Sequence, residues 1–176
     1  MTAPHGWLPQ FFPRSWEDEH DTFGIAFTED IALGIVSRER GGYSFLLKTD
    51  PRAQETSSAT LISDALNNLA QMREGSELKI ARPPGAKVAW VKAQDNFAAV
   101  RMLLPTVRAK LATELGDQYL FTVPSRDLCL FWSASSPTEL SEKHALEAEE
   151  DYKSEEYNLS PRVYVFTDRW PCQRWK

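Results

Sequence analysis

The stretch from residue 119 to residue 132 constrains the fold most, because it holds two strand-like segments joined by a very short polar connection. The segments Tyr119–Val123 and Leu128–Trp132 are rich in the β-branched and aromatic residues that strands favour. The sequence between them is Pro-Ser-Arg-Asp, in which proline presets a turn conformation while serine and aspartate bond the local backbone. We therefore predict a largely buried β-hairpin whose bend displays Arg126 and Asp127.

On both sides of this hairpin the sequence alternates between strand-like and helical segments. Strands are predicted at residues 23–27, 31–37, 43–47, 78–81, 87–92 and 162–167. Helices are predicted at about residues 58–72, 96–115 and 137–152, each preceded by a residue that can cap it. Pro105 either kinks the second helix or restarts it. This order predicts an α+β fold, with antiparallel strands in one or more sheets and about three helices packed on one side.

Residues 1–22 carry four large aromatic side chains among prolines at positions 4, 9 and 13: Trp7, Phe11, Phe12 and Trp16. Prolines at this spacing exclude a regular helix, so we predict an irregular, proline-rich arm. The rings could cover apolar surface of the domain, or they could anchor a protein partner or a second copy of the chain. We predict that residues 23–176 form a single α+β domain, or two small halves that meet near residues 75–95.

The charge and composition of the chain limit the classes of partner. It has 176 residues, 42% of them hydrophobic, and a net charge of -5, as in an ordinary globular protein. An acidic chain lacks the electrostatic footprint of proteins that bind nucleic acids or anionic membranes. No apolar run approaches the roughly 20 residues of a membrane-spanning helix, and the N-terminus lacks the pattern of a secretory signal. We therefore predict a cytoplasmic protein that contacts neither nucleic acid nor membrane.

Residues that could carry catalysis or hold a metal are few. Cys129 and Cys172 are the only cysteines, and in a cytoplasmic chain we predict that both are reduced thiols. Two cysteines and three scattered histidines make no recognisable zinc site, so we predict neither a metal nor a cofactor. No serine lies in a nucleophile elbow, and no cysteine has a histidine and an acid in a known pattern. The sequence therefore gives little support for an enzyme.

The first functional interpretation is a non-enzymatic binding or interaction domain. The last predicted helix is rich in glutamate and aspartate, a pattern that usually marks a solvated face. The same face could instead form an acidic docking surface for a basic partner. In this interpretation the aromatic arm and the last helix both face a protein partner.

The second interpretation is a binding or enzymatic domain for a small anionic ligand. Arg101, Arg126 and Arg162 lie in otherwise apolar segments, and guanidinium groups bind carboxylates and phosphates well. Asp95 and Asp127 would orient these arginines around one pocket. Alternatively, Arg126 and Asp127 have only structural roles in the turn. The aspartate would then accept backbone N–H groups, and the arginine would pair with a carboxylate or cap the C-terminal end of a helix. A buried Arg101 would then pair with one of the two aspartates.

Asn68 is a further candidate for ligand binding, because it follows another asparagine in a predicted helix and asparagine is a poor helix former. Its amide either faces solvent or forms hydrogen bonds with a neighbouring loop or a ligand.

The positions of the arginines distinguish the two functional interpretations. Convergence in an open pocket favours ligand binding, whereas burial in paired salt bridges favours the interaction domain.

Four segments carry a family resemblance when they are taken in order: DALNNL at 64–69, DNFAAVRMLLP at 95–105, VPSRDLCLFW at 123–132 and YNLSPRVYVFTDRW at 157–170. Together they resemble the YtpQ family of uncharacterised bacterial proteins over about residues 57–170. The resemblance implies an α+β cytosolic domain without an established activity. It also implies eight signature positions: Asn68, Asp95, Arg101, Pro124, Arg126, Asp127, Ser160 and Arg162.

Overall fold

A computed structural model describes residues 6–39, 42–72 and 77–176, which fold into two antiparallel sheets and several helices. The strands are β1 (Leu8–Pro13), β2 (Gly24–Ala26), β3 (Ile31–Glu39), β4 (Gly42–Phe45), β5 (Lys79–Ala81), β6 (Val88–Lys92), β7 (Tyr119–Ser125), β8 (Leu128–Ser133), β9 (Val163–Val165) and β10 (Gln173–Arg174). The helices are α1 (Trp16–Glu19), α2 (Pro51–Glu55), α3 (Ser58–Ala70), α4 (Pro105–Leu115), α5 (Thr138–Ser154) and a 3₁₀ helix (Ala99–Leu103). The predicted α+β class is confirmed.

The sheets differ in size and share one hydrophobic core. The small sheet has the order β1-β3-β2, with β4 also paired to β3, and the large sheet has the order β10-β9-β7-β8-β6-β5. Aromatic side chains connect them, since Phe27 stacks on Phe11 at 4.7 Å and contacts Phe121 at 5.6 Å between ring centres. Trp170, near the C-terminus, packs edge-on against Phe27 at 5.1 Å.

The hairpin of β7 and β8 lies at the centre of the large sheet, as predicted. Phe121 pairs with Phe131 across the two strands, and neither side chain is exposed. The register shifts after Thr122, so the bend is a bulged connection in which Ser125 pairs with Leu128. The proline is therefore accommodated inside a strand at the point where regular pairing stops.

The two faces of the large sheet are covered by different partners. Successive side chains of a strand point to opposite faces, so Phe121 and Phe131 face the main core while Leu120 and Trp132 face the other way. Helix α5 covers this second face, where the indole Nε1 of Trp132 donates to Ser141 Oγ at 2.9 Å. The expectation that all helices pack on one side is therefore wrong for α5.

The irregular arm predicted for residues 1–22 is wrong wherever the structure describes it. Strand β1 pairs along its whole length with β3, and helix α1 follows it. Phe11 and Phe12 have no exposed side-chain surface, so they cannot anchor a partner or a second copy. Residues 1–5 of the predicted arm lie outside the described residues.

The prolines of β1 fit a strand because of the edge on which they lie. The backbone N–H of Phe11 donates to the side chain of Gln10 at 2.9 Å, and its carbonyl accepts from Arg126, so both groups point away from β3. Pro9 and Pro13 lie two residues to either side and share this orientation. The absence of an N–H group at these prolines therefore removes no hydrogen bond between β1 and β3.

The second predicted helix restarts at Pro105 instead of kinking there. The 3₁₀ helix ends at Leu103, the next residue Leu104 has an extended backbone, and Pro105 occupies the first turn of α4. Proline is well suited to this position because the first N–H of a helix has no partner within it.

Within the described ranges, no helix has both the length and the apolar character required to cross a bilayer.

Candidate functional site

Four of the predicted site residues meet near the hairpin bend, and we call Asp95, Asn96, Arg101, Arg126 and Asp127 the bend cluster. Arg101 is buried and forms a two-pronged ion pair with Asp95, with Nη1–Oδ1 at 3.0 Å and Nη2–Oδ2 at 2.5 Å. The same carboxylate accepts the backbone N–H of Phe97 at 2.9 Å. Asp95 is thus the partner of the buried Arg101, one of the two aspartates predicted for it, and this pair holds the loop before the 3₁₀ helix in place.

Asp127 stabilises the same loop from the other side. Its Oδ1 accepts the backbone N–H of Asn96 at 2.7 Å, and Asn96 adopts a left-handed conformation with φ of 64°. Asparagine tolerates this conformation better than most residues. Burial raises the pKa of the Asp127 carboxyl, and the negative charges of Asp95 and Glu155 raise it further.

Arg126 is not displayed at the bend, contrary to the prediction, because its residue exposure is only 8%. Its Nε donates to the carbonyl of Phe11 at 3.2 Å and so connects the large sheet to β1. Its own backbone is held at both polar groups: its N–H donates to the carbonyl of Tyr157 at 3.1 Å, and its carbonyl accepts from Ala99 at 3.0 Å. The position of the arginine is therefore fixed by three elements.

Three aromatic rings surround the guanidinium of Arg126, and we call them the aromatic shell. The guanidinium carbon lies 5.8 Å from the ring centre of Trp16, 5.7 Å from that of Phe45 and 5.2 Å from that of Tyr157. Such contacts attract a cation to the negative face of a ring. Burial lowers the pKa of Arg126, and no carboxylate of the described residues forms an ion pair with it. Arg126 was predicted to pair with a carboxylate or to cap a helix. It instead contacts three aromatic rings and donates to one backbone carbonyl.

Arg162 belongs to a different cluster. Its guanidinium pairs with Glu29 and lies 3.3 Å from Asp30, in the turn before β3. Asp30 also accepts from the hydroxyl of Tyr164 at 2.6 Å. The hydrogen bond to Glu29 raises the pKa of Arg162. The three arginines proposed for one anion pocket therefore have separate partners, and Arg162 connects β9 to the small sheet.

Asn68 bonds a neighbouring segment of the chain, which is one of the two alternatives for its amide. Its Nδ2 donates to the carbonyl of Trp7 at 2.9 Å, so it connects α3 to the residues just before β1. The ring of Trp7 lies under the guanidinium of Arg52 at 4.5 Å. Asn68 and Trp7 thus take part in contacts within the fold.

A surface groove that was not predicted lies between α5 and the C-terminal residues, and we call it the α5 groove. Its volume is about 700 Å³, and Ala145, Val163 and Trp175 contribute apolar surface to it. Leu146 lies at its edge with 65% of its surface exposed, because Ser141, His144 and Ala148 form the buried face of α5. The sequence holds a signal for this site, since a leucine at that place on the helix falls outside the buried stripe.

Charged residues border the α5 groove on both sides. Glu142 lines the groove one helical turn before Leu146, and Glu150 lies on the same helix one turn after Leu146; neither has an ion-pair partner among the described residues. Glu149 is already paired with Lys153 at 2.7 Å. The opposite side carries Arg174, Lys176 and Arg162, and Arg162 is paired with Glu29. The helix side of the groove therefore has unbalanced negative charge.

The described residues contain no group of three His, Cys, Asp or Glu side chains arranged to hold a metal ion. Cys129 and Cys172 are both free and buried, as predicted for reduced thiols. Burial raises the pKa of both thiols, so neither is activated as a nucleophile.

Comparison of the chain with models of protein families, with curated proteins and with solved structures gave no match. The resemblance to the YtpQ family therefore stays a prediction that depends on the four ordered segments alone. The candidate sites of this protein are the bend cluster, the aromatic shell and the α5 groove.

Proposed function

We propose that this protein is a non-enzymatic interaction domain and that it binds a partner protein in the α5 groove. The observation that carries the proposal is the exposed Leu146 beside the apolar surface of Trp175 and Val163. A single exposed leucine is ordinary, but one at the edge of a concave apolar surface offers a place to bury a partner's side chain. The separate, structural partners of Arg101 and Arg162 agree with this function, because they keep Arg101, Arg126 and Arg162 from sharing one pocket.

The charges near Leu146 favour a basic partner segment. Helix α5 carries six carboxylates and two lysines, and both lysines are paired with glutamates of the same helix. Glu142 and Glu150 are left to attract lysine or arginine. The partner we propose is a segment that places one large apolar side chain in the groove and directs basic side chains toward α5.

A second copy of the chain is a poor occupant of this groove. The protein has a net charge of -5, and two α5 helices that face each other would bring like charges together.

We also propose that the protein acts in the cytoplasm and belongs to the YtpQ family. The two free cysteines support the first of these proposals, because thiols stay reduced in the cytoplasm, and the ordered segments quoted above support the second.

A random peptide library displayed on phage would test the interaction function. We expect wild-type protein to enrich peptides with one large apolar residue next to lysine or arginine. Leu146→Glu should weaken binding of an enriched peptide by at least about tenfold, because a carboxylate replaces the apolar anchor. Leu47→Glu is the matched control, since Leu47 is also exposed (44%) but lies outside the groove, and it should leave binding unchanged.

Two results would overturn the proposal. One is a library from which no family of peptides is enriched. The other is an enriched family that binds Leu146→Glu as tightly as it binds the wild type. Measurement of the molar mass by light scattering accompanies the experiment, and a dimer that Leu146→Glu dissociates would show that a second copy, not a basic segment, fills the groove.

A further inference from the structure

We propose that Arg126 is the centre of a second binding site, separate from the α5 groove, which accepts a carboxylate or phosphate group inside the aromatic shell. The site consists of the guanidinium of Arg126 and the rings of Trp16, Phe45 and Tyr157. These rings come from α1, β4 and the segment after α5, so the site forms only in the folded chain.

Arg126 has no counter-ion among the described residues. Buried charges in proteins are normally paired, because an isolated charge in a water-poor place loses several kcal/mol of hydration. Arg126 is more than nine-tenths buried, yet its only side-chain hydrogen bond within the described residues runs from Nε to the carbonyl of Phe11. The two terminal Nη atoms have no partner there, and neither is sealed from solvent.

The carboxylates of the bend cluster already have partners of their own. Asp127 follows Arg126 directly, but its carboxylate accepts the backbone N–H of Asn96 at 2.7 Å. Asp95 holds Arg101 in a two-pronged pair. A rearrangement that brought either acid to Arg126 would leave a buried group without its hydrogen-bond partner, which is unfavourable. The positive charge of Arg126 therefore stays available to a group from outside.

The backbone and the Nε atom of Arg126 are held in place before any ligand binds. Its N–H and carbonyl are both bonded, to Tyr157 and Ala99, and its Nε is bonded to β1. A fixed donor loses little conformational entropy when a ligand binds, and the rings around it lower the local dielectric and strengthen the attraction. Tyr157 is 44% exposed, so the shell reaches solvent on that side.

The chemistry of the donor decides the class of ligand. Guanidinium presents N–H groups in a planar fork that matches two oxygens of a carboxylate or phosphate. This group could belong to a small molecule or to an acidic side chain of another protein. The chemistry is the same in both cases, and the experiment separates them.

The test follows the NMR signal of the Arg126 Nε–Hε group in the whole protein. Sodium phosphate, sodium benzoate and a Gly-Glu-Gly peptide blocked at both ends are each titrated against sodium chloride of the same ionic strength. We expect a saturable shift with a dissociation constant of about 1 mM or tighter for at least one of the three. A response to phosphate or benzoate assigns a small-molecule ligand, and a response to the peptide alone assigns an acidic protein side chain.

Matched variants show whether the fork of Arg126 is the donor. Arg126→Lys keeps the charge but loses the fork, so binding should weaken at least about tenfold, while Arg162→Lys should bind as the wild type does. If Arg126→Lys does not fold, Tyr157→Glu provides a second test of the same site. It places a carboxylate at the exposed side of the shell, where it should compete with the added anion and abolish the shift.

Three results would overturn this proposal. The first is the absence of a saturable shift with all three compounds. The second is an equal shift with chloride, which would mean that only ionic screening is observed. The third is unchanged affinity in Tyr157→Glu or in a folded Arg126→Lys variant.

Discussion

At the scale of single residues, the two arginine pairs of this protein should differ greatly in their contribution to stability. Arg101 is buried with Asp95, whereas Arg162 is exposed with Glu29. Removal of one partner from a buried pair leaves an uncompensated charge, so Arg101→Gln should lower the free energy of unfolding by about 3–5 kcal/mol. Arg162→Gln should cost less than about 1 kcal/mol. Urea denaturation measures both values, and equal small losses would contradict the role given to Arg101.

Asp127 should make stability depend on pH in an unusual direction for a carboxylate. Its pKa in the folded protein is raised above the ordinary value of 3.8, so the folded state binds the proton more tightly than the unfolded state does. The stabilisation is complete below pH about 3.8 and is lost as the pH rises through the raised pKa. Asp127→Asn keeps an oxygen acceptor for Asn96 and does not titrate.

The free energy of unfolding of the wild type, minus that of Asp127→Asn, should therefore decrease from acidic to neutral pH. Denaturation curves recorded at several pH values measure this difference. A wild type that instead gains stability over the variant as the pH rises would mean that Asp127 is stabilised as an anion, and the environment described for it would be wrong.

At the scale of elements, the hairpin could be predicted from sequence and β1 could not. Both strands of the hairpin have dense β-branched and aromatic residues on either side of a short polar turn, and that signal is local. Strand β1 contains two prolines, and whether a proline breaks a strand depends on which edge its missing N–H would face. That information is in the pairing with β3 and in the bonds from Gln10 and Arg126, not in the sequence of β1 itself.

The role of β1 in the core can be tested at Phe11. This side chain is fully buried and stacked on Phe27 at 4.7 Å, so Phe11→Ala should reduce the free energy of unfolding by about 3–5 kcal/mol. Leu47→Ala, at an exposed leucine, should change it by less than about 1 kcal/mol. Thermal and urea denaturation measure both. A small effect at Phe11 would show that the segment lies on the surface, as an arm would.

The packing of the small sheet depends on close approach at Gly34. A Cβ there would lie 2.7 Å from the carbonyl oxygen of Phe23 and 2.5 Å from the ring of Phe12, and the first of these is backbone that cannot turn away. Gly34→Ala should therefore destabilise the protein by about 1–3 kcal/mol. Gly42→Ala is the control in the same sheet, because a Cβ at Gly42 meets open space. Equal stabilities of the two variants would contradict the packing described for β3.

At the scale of the whole molecule, the candidate sites depend on contacts between distant parts of the chain. The aspartates and Arg101 of the bend cluster could be predicted because they lie within one loop and one turn. The aromatic shell could not, since Trp16 and Tyr157 meet only when α1 and the segment after α5 both pack against the hairpin bend. The α5 groove likewise requires the C-terminal residues to lie beside α5. Local patterns carry no information about such long-range meetings.

The most direct measurement of the interaction function is a map of the bound peptide by NMR. A library-selected basic peptide is titrated into labelled protein, and shifts of backbone amide signals are assigned along the chain. We expect the largest shifts to cluster on residues 142–153, 163 and 174–176 and to disappear in Leu146→Glu. Largest shifts elsewhere in the protein, or the same shifts in Leu146→Glu, would contradict the proposed interaction function.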